Sequence, residues 1–200
     1  MSVTARYQSN YDKIAADHVA YWRETGENPF QGESVLRHNE LSTEHYIKVH
    51  APEGRWLDVG CGMGDLLMRF SDRERHGVDI SRLYLDIALE RGLTVSQAPA
   101  EKMPFPASYF DLVTATDVLE HVLDLNAAVE EMLRVLKPGG VLITRTPHEE
   151  ELAVDNGIYE YVHLRRFDYP TLYLLFTKEF ECEVLDIPVD RDIIHAVVRK

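Results

Sequence analysis

Residues 55–70 read RWLDVGCGMGDLLMRF. Trp56, Leu57 and Val59 make a short apolar run with Asp58 inside it, Gly60, Gly62 and Gly64 follow at alternate positions, and Leu66, Leu67 and Phe70 open a helical spacing. The pattern predicts a strand, a glycine turn and a helix. Glycine serves where the backbone must take positive φ or admit another molecule closely. A unit of this kind begins a doubly wound α/β sheet, whose ligands bind beyond the carboxyl ends of the strands. A cofactor is expected at this turn.

Spacing selects among cofactors. The dinucleotide fingerprint is G-x-G-x-x-G, whereas this chain has G-x-G-x-G followed by Asp65. An acidic residue in the first helical turn repels a pyrophosphate. Asp58 before the turn and Asp65 after it suit a ligand carrying positive charge. The next strand-like run, His76 to Ile80, contains Asp79, 19 positions after Gly60. A carboxylate about 20 residues on is placed to accept hydrogen bonds from ribose hydroxyls. Adenosine with a cationic group and no pyrophosphate describes S-adenosylmethionine.

LDVGCGMG (57–64), GVDIS (77–81), AEKMPFP (100–106), FDLVTATDVLEHV (110–122) and LRVLKPGGVLI (133–143) stand in order. Together they resemble the class I S-adenosylmethionine-dependent methyltransferases, most of all the small-molecule branch with DxGxGxG and LKPGG signatures. YDKIAADH at 11–18 resembles that branch's first helix. The resemblance implies an α/β, doubly wound, mostly parallel seven-stranded sheet with an antiparallel C-terminal hairpin and an N-terminal helical lid. One domain over 1–200 is expected, with 1–54 as lid and 55–200 as core. It also implies a cofactor site of Tyr11, Asp58, Gly60, Gly62, Asp79, Ile80, Ala100, Glu101, Asp117 and Leu119. Pro99 stands where the family usually places an acidic residue against adenine, so the backbone at Ala100 is expected to take that role, with Glu101 beside it.

The 200 residues suit one core that buries about 70% of the unfolded surface. The net charge of −13 argues against general affinity for nucleic acid or an anionic membrane, since both require clustered Lys and Arg. Cys61 and Cys182 are far apart, and no apolar run reaches 18 residues. The expectation is a reduced, cytoplasmic protein without a membrane span.

Tyr11, Ile14, Ala15, His18, Val19 and Trp22 recur at steps of three and four, an apolar stripe on a helix. Its function is either packing on the sheet or covering the cofactor. A second helix is expected over 35–50. Ser81 caps a third, whose Leu83, Ile87 and Leu89 are expected to face the sheet. Phe110–Thr116 is the fourth strand, and Asn126 is the expected cap of an amphipathic helix that ends at Lys137-Pro-Gly-Gly140. Val141–Thr146 makes the fifth strand, 170–177 a last helix, and 181–187 with 193–199 a hairpin.

His121, at the carboxyl end of the fourth strand, is a candidate general base, because imidazole titrates near neutrality. His148, after the fifth strand, is a second candidate for meeting the acceptor. Asp117, Glu120 and His121 form D-x-x-E-H, which resembles the E-x-x-E-H of polyprenyl-quinone O-methyltransferases, whose side chains hold a divalent cation. On a regular helix the histidine points well round from Glu120, and no metal is expected. HLRRF at 163–167 resembles a segment that lines the acceptor site in sugar and small-molecule methyltransferases, with Tyr159 and Tyr161 as further aromatic walls. The expected reaction is in-line methyl transfer to an oxygen, less readily a nitrogen, of a small acceptor such as a sugar hydroxyl or quinone-like phenol. A catalytically silent methyltransferase-like scaffold remains the alternative.

Overall fold

A computed structural model describes residues 3–26, 34–148, 163–191 and 193–200, with the backbone alone at 3–6 and 34–40. The Tyr159 and Tyr161 walls lie outside the described residues.

The opening motif folds as expected. Its strand β1 (Arg55–Val59) is buried at its last four positions, because helices cover both faces of a parallel sheet. The other strands are β2 (Glu74–Asp79), β3 (Thr94–Gln97), β4 (Phe110–Thr116), β5 (Leu136–Pro147), β6 (Glu183–Asp186), β7 (Val189–Asp190) and β8 (Ile193–Arg199). Among the described residues they make one eight-stranded sheet in the order β3-β2-β1-β4-β5-β8-β6, with β7 paired to β8. Leu57 lies opposite His76 of β2 and Val113 of β4, both in parallel register. Ile143 of β5 lies opposite Val197 of β8 in antiparallel register. The strand beyond the expected seven is the two-residue β7, a pairing too short to leave a periodic signal. Strand order reverses between β1 and β4, which opens a crevice above their carboxyl ends.

The helices are α1 (Val3–Thr25), α2 (Ser34–His50), α3 (Asp65–Met68), α4 (Arg82–Glu90), α5 (Leu125–Val135) and α6 (Tyr169–Leu174). A five-residue π-helical turn, Leu175–Glu179, continues α6 past the expected end. Asp124, not Asn126, caps α5: its side chain accepts from the Ala127 amide at 3.0 Å. Capping from two positions earlier lets Ala128, Val129 and Met132 bury fully against Leu57, Phe110 and Val113. On the other face Trp56, Leu67, Leu85, Leu112 and Ile143 pack together. Each such burial stabilises by roughly 1.5–3 kcal/mol, and Trp56→Ala would open the largest hole. In α4 the buried side chains are Tyr84, Leu85, Ile87 and Ala88, while Leu83 and Leu89 are exposed, contrary to expectation. Positions i, i+1, i+3 and i+4 share the inward face, and 83 and 89 fall to its sides.

Helix α1 begins eight positions before Tyr11. Ala15 and Val19 pack on Met63 of the glycine turn and on Tyr84 and Ile87 of α4. His18 Nδ1 meets the Tyr84 hydroxyl at 2.7 Å, and the Arg91 guanidinium lies over the Trp22 ring at 5.6 Å. These contacts hold α1 across the crevice as a lid. Among the described residues no helix is long and apolar enough to cross a membrane.

Candidate active site

The crevice encloses a cavity of about 530 Å³, within the range of small-molecule sites. Its floor is the glycine turn. Gly60 (φ 69°) donates its amide to the Val78 carbonyl at 2.8 Å, and a Cβ there would stand 2.5 Å from Val118 Cγ2. Gly62 (φ 53°) has nothing within 4 Å of where its Cβ would be, so its bare backbone opens onto the cavity.

Asp79, at the end of β2, is nearly buried and braces this turn. Its Oδ2 accepts from the Gly62 amide at 2.9 Å and its Oδ1 from the Ser81 amide at 2.8 Å. Burial raises its pKa even against those donors. Ile80, Pro99 and Ala100 line the cavity beside it. Asp58, at the end of β1, is 2% exposed. It accepts from the Thr114 hydroxyl at 2.6 Å, and Thr114 Oγ1 in turn accepts from Trp56 Nε1 at 2.8 Å. Desolvation pushes the Asp58 carboxyl up to about 7. Asp65 also reaches the cavity, but Arg91 pairs with it at 2.8 Å.

Asp117 follows β4 with φ 55°, an uncommon conformation for a residue with a side chain. Its carboxylate is clasped by Arg145 of β5. Burial would raise the Asp117 carboxyl, but the guanidinium outweighs it and holds it below the ordinary value. Arg145 also donates to Thr43 Oγ1 of α2 at 3.2 Å, and Thr43 Oγ1 lies 3.0 Å from Nε2 of the buried His195. Burial, with Arg145 beside it, pushes His195 down to about 3, so it is neutral.

At the far end stands an irregular turn rather than a helix, and it carries Glu120 and His121. His121 Nε2 is 3.7 Å from Glu120 Oε1. Its ring meets the edge of Tyr11 at 6.0 Å and the His163 ring at 4.8 Å. One ligand atom each from Glu120, His121 and His163 lies within 4.8 Å of the others. Glu101 holds this turn from below, its Oε1 accepting from the Leu123 and Asp124 amides at 3.1 and 3.4 Å. Tyr7 lies one turn before Tyr11, its ring tilted 50° to the Tyr11 ring with centroids 4.8 Å apart. Burial pushes the Tyr7 phenol up to about 12 and Tyr11 higher still, so both are neutral walls.

Tyr11, Asp58, Gly60, Gly62, Asp79, Ile80, Ala100, Glu101, Asp117 and His121 thus share one cavity wall. Leu119 departs from expectation: it is wholly buried in the apolar core beneath the turn. His148 departs too. Its backbone bridges to Phe167, and Pro147, one residue earlier, takes the place on the wall. Tyr7, His18 and Arg145 line the cavity without having been expected there. Tyr7 carried a signal, the i, i+4 spacing to Tyr11, and Arg145 another, a lone cation inside the apolar run VLITRT.

Residues 57–144 match the family model described as a methyltransferase domain. Over those residues the chain carries a methyltransferase domain, and its fold is that of S-adenosylmethionine-dependent methyltransferases. It is 33% identical over 143 residues, 72% of its length, to an uncharacterized protein of Methanocaldococcus jannaschii, of which it covers 60%. It is 37% identical over 120 residues, 54% of its length, to the ubiquinone/menaquinone biosynthesis C-methyltransferase UbiE of Neisseria meningitidis, of which it covers 47%. The chain therefore spans less than two thirds of these curated relatives. Among solved structures, a methyltransferase of Thermotoga maritima, described as a possible histamine N-methyltransferase, superposes with a TM-score of 0.74 at 21% identity, covering 97% of this chain and 99% of that one. The methyltransferase cofactor fits the site: an open glycine backbone, a carboxylate braced beside it and a buried carboxyl at the strand end form a cradle for a cationic adenosyl ligand.

Proposed function

We propose that the protein transfers a methyl group from S-adenosylmethionine to an oxygen of a small acceptor. S-adenosylmethionine supplies an electrophilic methyl on a positively charged sulphur. Asp79 takes the ribose hydroxyls, Ile80 and Ala100 flank the adenine, and Gly60 and Gly62 let the turn approach the methionine part. Asp58 and Asp117 face its ammonium group, and Tyr11 closes the site from the lid. The acceptor oxygen meets the chain at Glu120, His121 and His163, with Tyr7 and Tyr11 as flat walls suited to a phenol or sugar ring. The observation that carries this reading is a single cavity joining the Gly62–Asp79 cradle to the His121–His163 pair. In-line placement of acceptor and methyl does most of the chemical work.

A second reading, methylation at carbon of a quinone precursor, is favoured by the likeness to UbiE. Titration calorimetry with S-adenosylmethionine, S-adenosylhomocysteine and NADH comes first. Micromolar binding of the two adenosyl ligands alone supports the reading; binding of neither leaves the silent scaffold. Mass spectrometry and NMR on sugar and phenol acceptors then distinguish O- from C-methylated product.

A further inference from the structure

We propose that Glu120, His121 and His163 bind a divalent first-row transition cation at the acceptor end of the cavity, and that this cation receives the acceptor oxygen. The inference rests on the oxygen-acceptor reading above and names the group that activates that oxygen.

The three ligand atoms lie within 4.8 Å of one another, with Glu120 Oε1 and His121 Nε2 at 3.7 Å. Tetrahedral zinc holds nitrogen and oxygen ligands at about 2.0–2.2 Å, so bound ligand atoms stand about 3.3–3.6 Å apart. Closing the cluster takes side-chain shifts of up to about an ångström. Adjacent residues on a helix diverge too far to share an ion, but the turn at 119–121 is not helical, and this lets Glu120 and His121 converge. Asp117 is outside the set because Arg145 holds its carboxylate. The third ligand comes instead from a segment 43 positions on in the sequence.

That segment is stapled in place. The Leu164 amide donates to the Glu120 carbonyl at 2.8 Å. Arg165 donates to the carbonyls of Leu119 at 2.8 Å, Val122 at 2.5 Å and Leu123 at 3.3 Å. Glu101 accepts the amides of the same turn from the other side. Outer hydrogen bonds of this kind keep ligands in register before an ion arrives. Two imidazoles and one carboxylate favour zinc, manganese or iron over magnesium and calcium, which prefer all-oxygen sets. Three protein ligands on a cavity wall leave further coordination positions for an exogenous oxygen.

An acceptor hydroxyl in such a position loses its proton to water, because the cation lowers the pKa of bound O–H groups by several units. The oxygen lone pair then forms the O–CH₃ bond while the C–S bond breaks and its electron pair stays on sulphur. The products are the methylated acceptor and neutral S-adenosylhomocysteine, with one proton released.

The test uses tag-free protein stripped with chelator, titrated calorimetrically with Zn²⁺, Mn²⁺ and Mg²⁺ separately, and with Co²⁺ followed by visible absorption. One equivalent of Zn²⁺ at micromolar affinity or tighter is expected, with Mg²⁺ at least tenfold weaker. His163→Ala should weaken Zn²⁺ at least tenfold and abolish the Co²⁺ bands, Arg165→Met should weaken it less, and Asp117→Asn should leave it within about threefold. S-adenosylmethionine is titrated into every sample. Adenosyl binding without cation binding overturns the cation site alone, whereas loss of both in wild-type protein overturns the methyl-transfer reading. Cation binding unaffected by His163→Ala in a variant that still binds S-adenosylmethionine overturns the ligand set.

Discussion

Arg145 closes on the carboxylate of Asp117 at the carboxyl end of β4, and through Thr43 the pair ties the cavity wall to α2 and on to His195 of β8. The arginine side chain is 7% exposed, so its charge depends on that partner. Asp117→Asn should lower stability by about 2 kcal/mol, less than a fully buried pair because the carboxylate faces the cavity. That corresponds to about 4–8 °C in melting temperature for a chain of this size. Adding Arg145→Met should recover part of the loss. Equal melting of wild type and Asp117→Asn would mean that the guanidinium finds other acceptors.

His195 makes the protein acid-sensitive. Its folded pKa, about 3, lies below the ordinary 6.5, so the unfolded chain binds the extra proton first. The stability is full above pH 6.5 and drains as pH falls toward 3. Between pH 7 and 5 the loss from this group should be about 2 kcal/mol. His195→Gln should flatten that limb in denaturant titrations, and an unchanged slope would assign the acid sensitivity elsewhere.

Asp58 carries the opposite sign. Its folded pKa, about 7, lies above the ordinary 3.8, so it is largely protonated at pH 6 and largely a carboxylate at pH 8. A cationic ligand should select the charged form, and affinity for S-adenosylmethionine should rise about tenfold across that interval with release of a proton at the acid end. Calorimetry in two buffers of different ionisation enthalpy measures the proton directly. Asp58→Asn should remove the dependence, and a wild-type affinity flat with pH would take Asp58 away from the ammonium group.

Asp79→Ala removes both the proposed ribose acceptor and the brace on Gly62. Each hydrogen bond to a carboxylate is worth roughly 1.5–3 kcal/mol, so binding of S-adenosylmethionine should weaken at least tenfold. Unaltered affinity in a folded variant would exclude Asp79 from the site.

The parts of the site that follow one strand and its turn are legible in the sequence. Asp58, Gly60, Gly62 and Asp79 lie within 22 positions, and local chemistry of strand, glycine and carboxylate determines their placement. What depends on distant pairing is not. Arg145 reaches Asp117 over 28 positions and Thr43 over 102, and no periodicity in either segment names its partner. Glu101 shows the same limit: its spacing marks it for the cofactor, yet it also binds amides of a turn 22 positions on. Leu119 and His148 fail for a simpler reason, since a turn and a strand end each leave the direction of one side chain undecided by sequence.

Helix α1 meets the core through Ala15 and Val19, a His18–Tyr84 hydrogen bond and Arg91 over Trp22. Tyr7, Tyr11 and His18 on the same helix form part of the cavity wall. For a ligand that leaves by parting α1 from α4, these contacts set the residence time together with the cradle that holds it, and a change at Tyr84 or Trp22, remote from the transferring methyl, should then alter turnover through the rate at which product escapes.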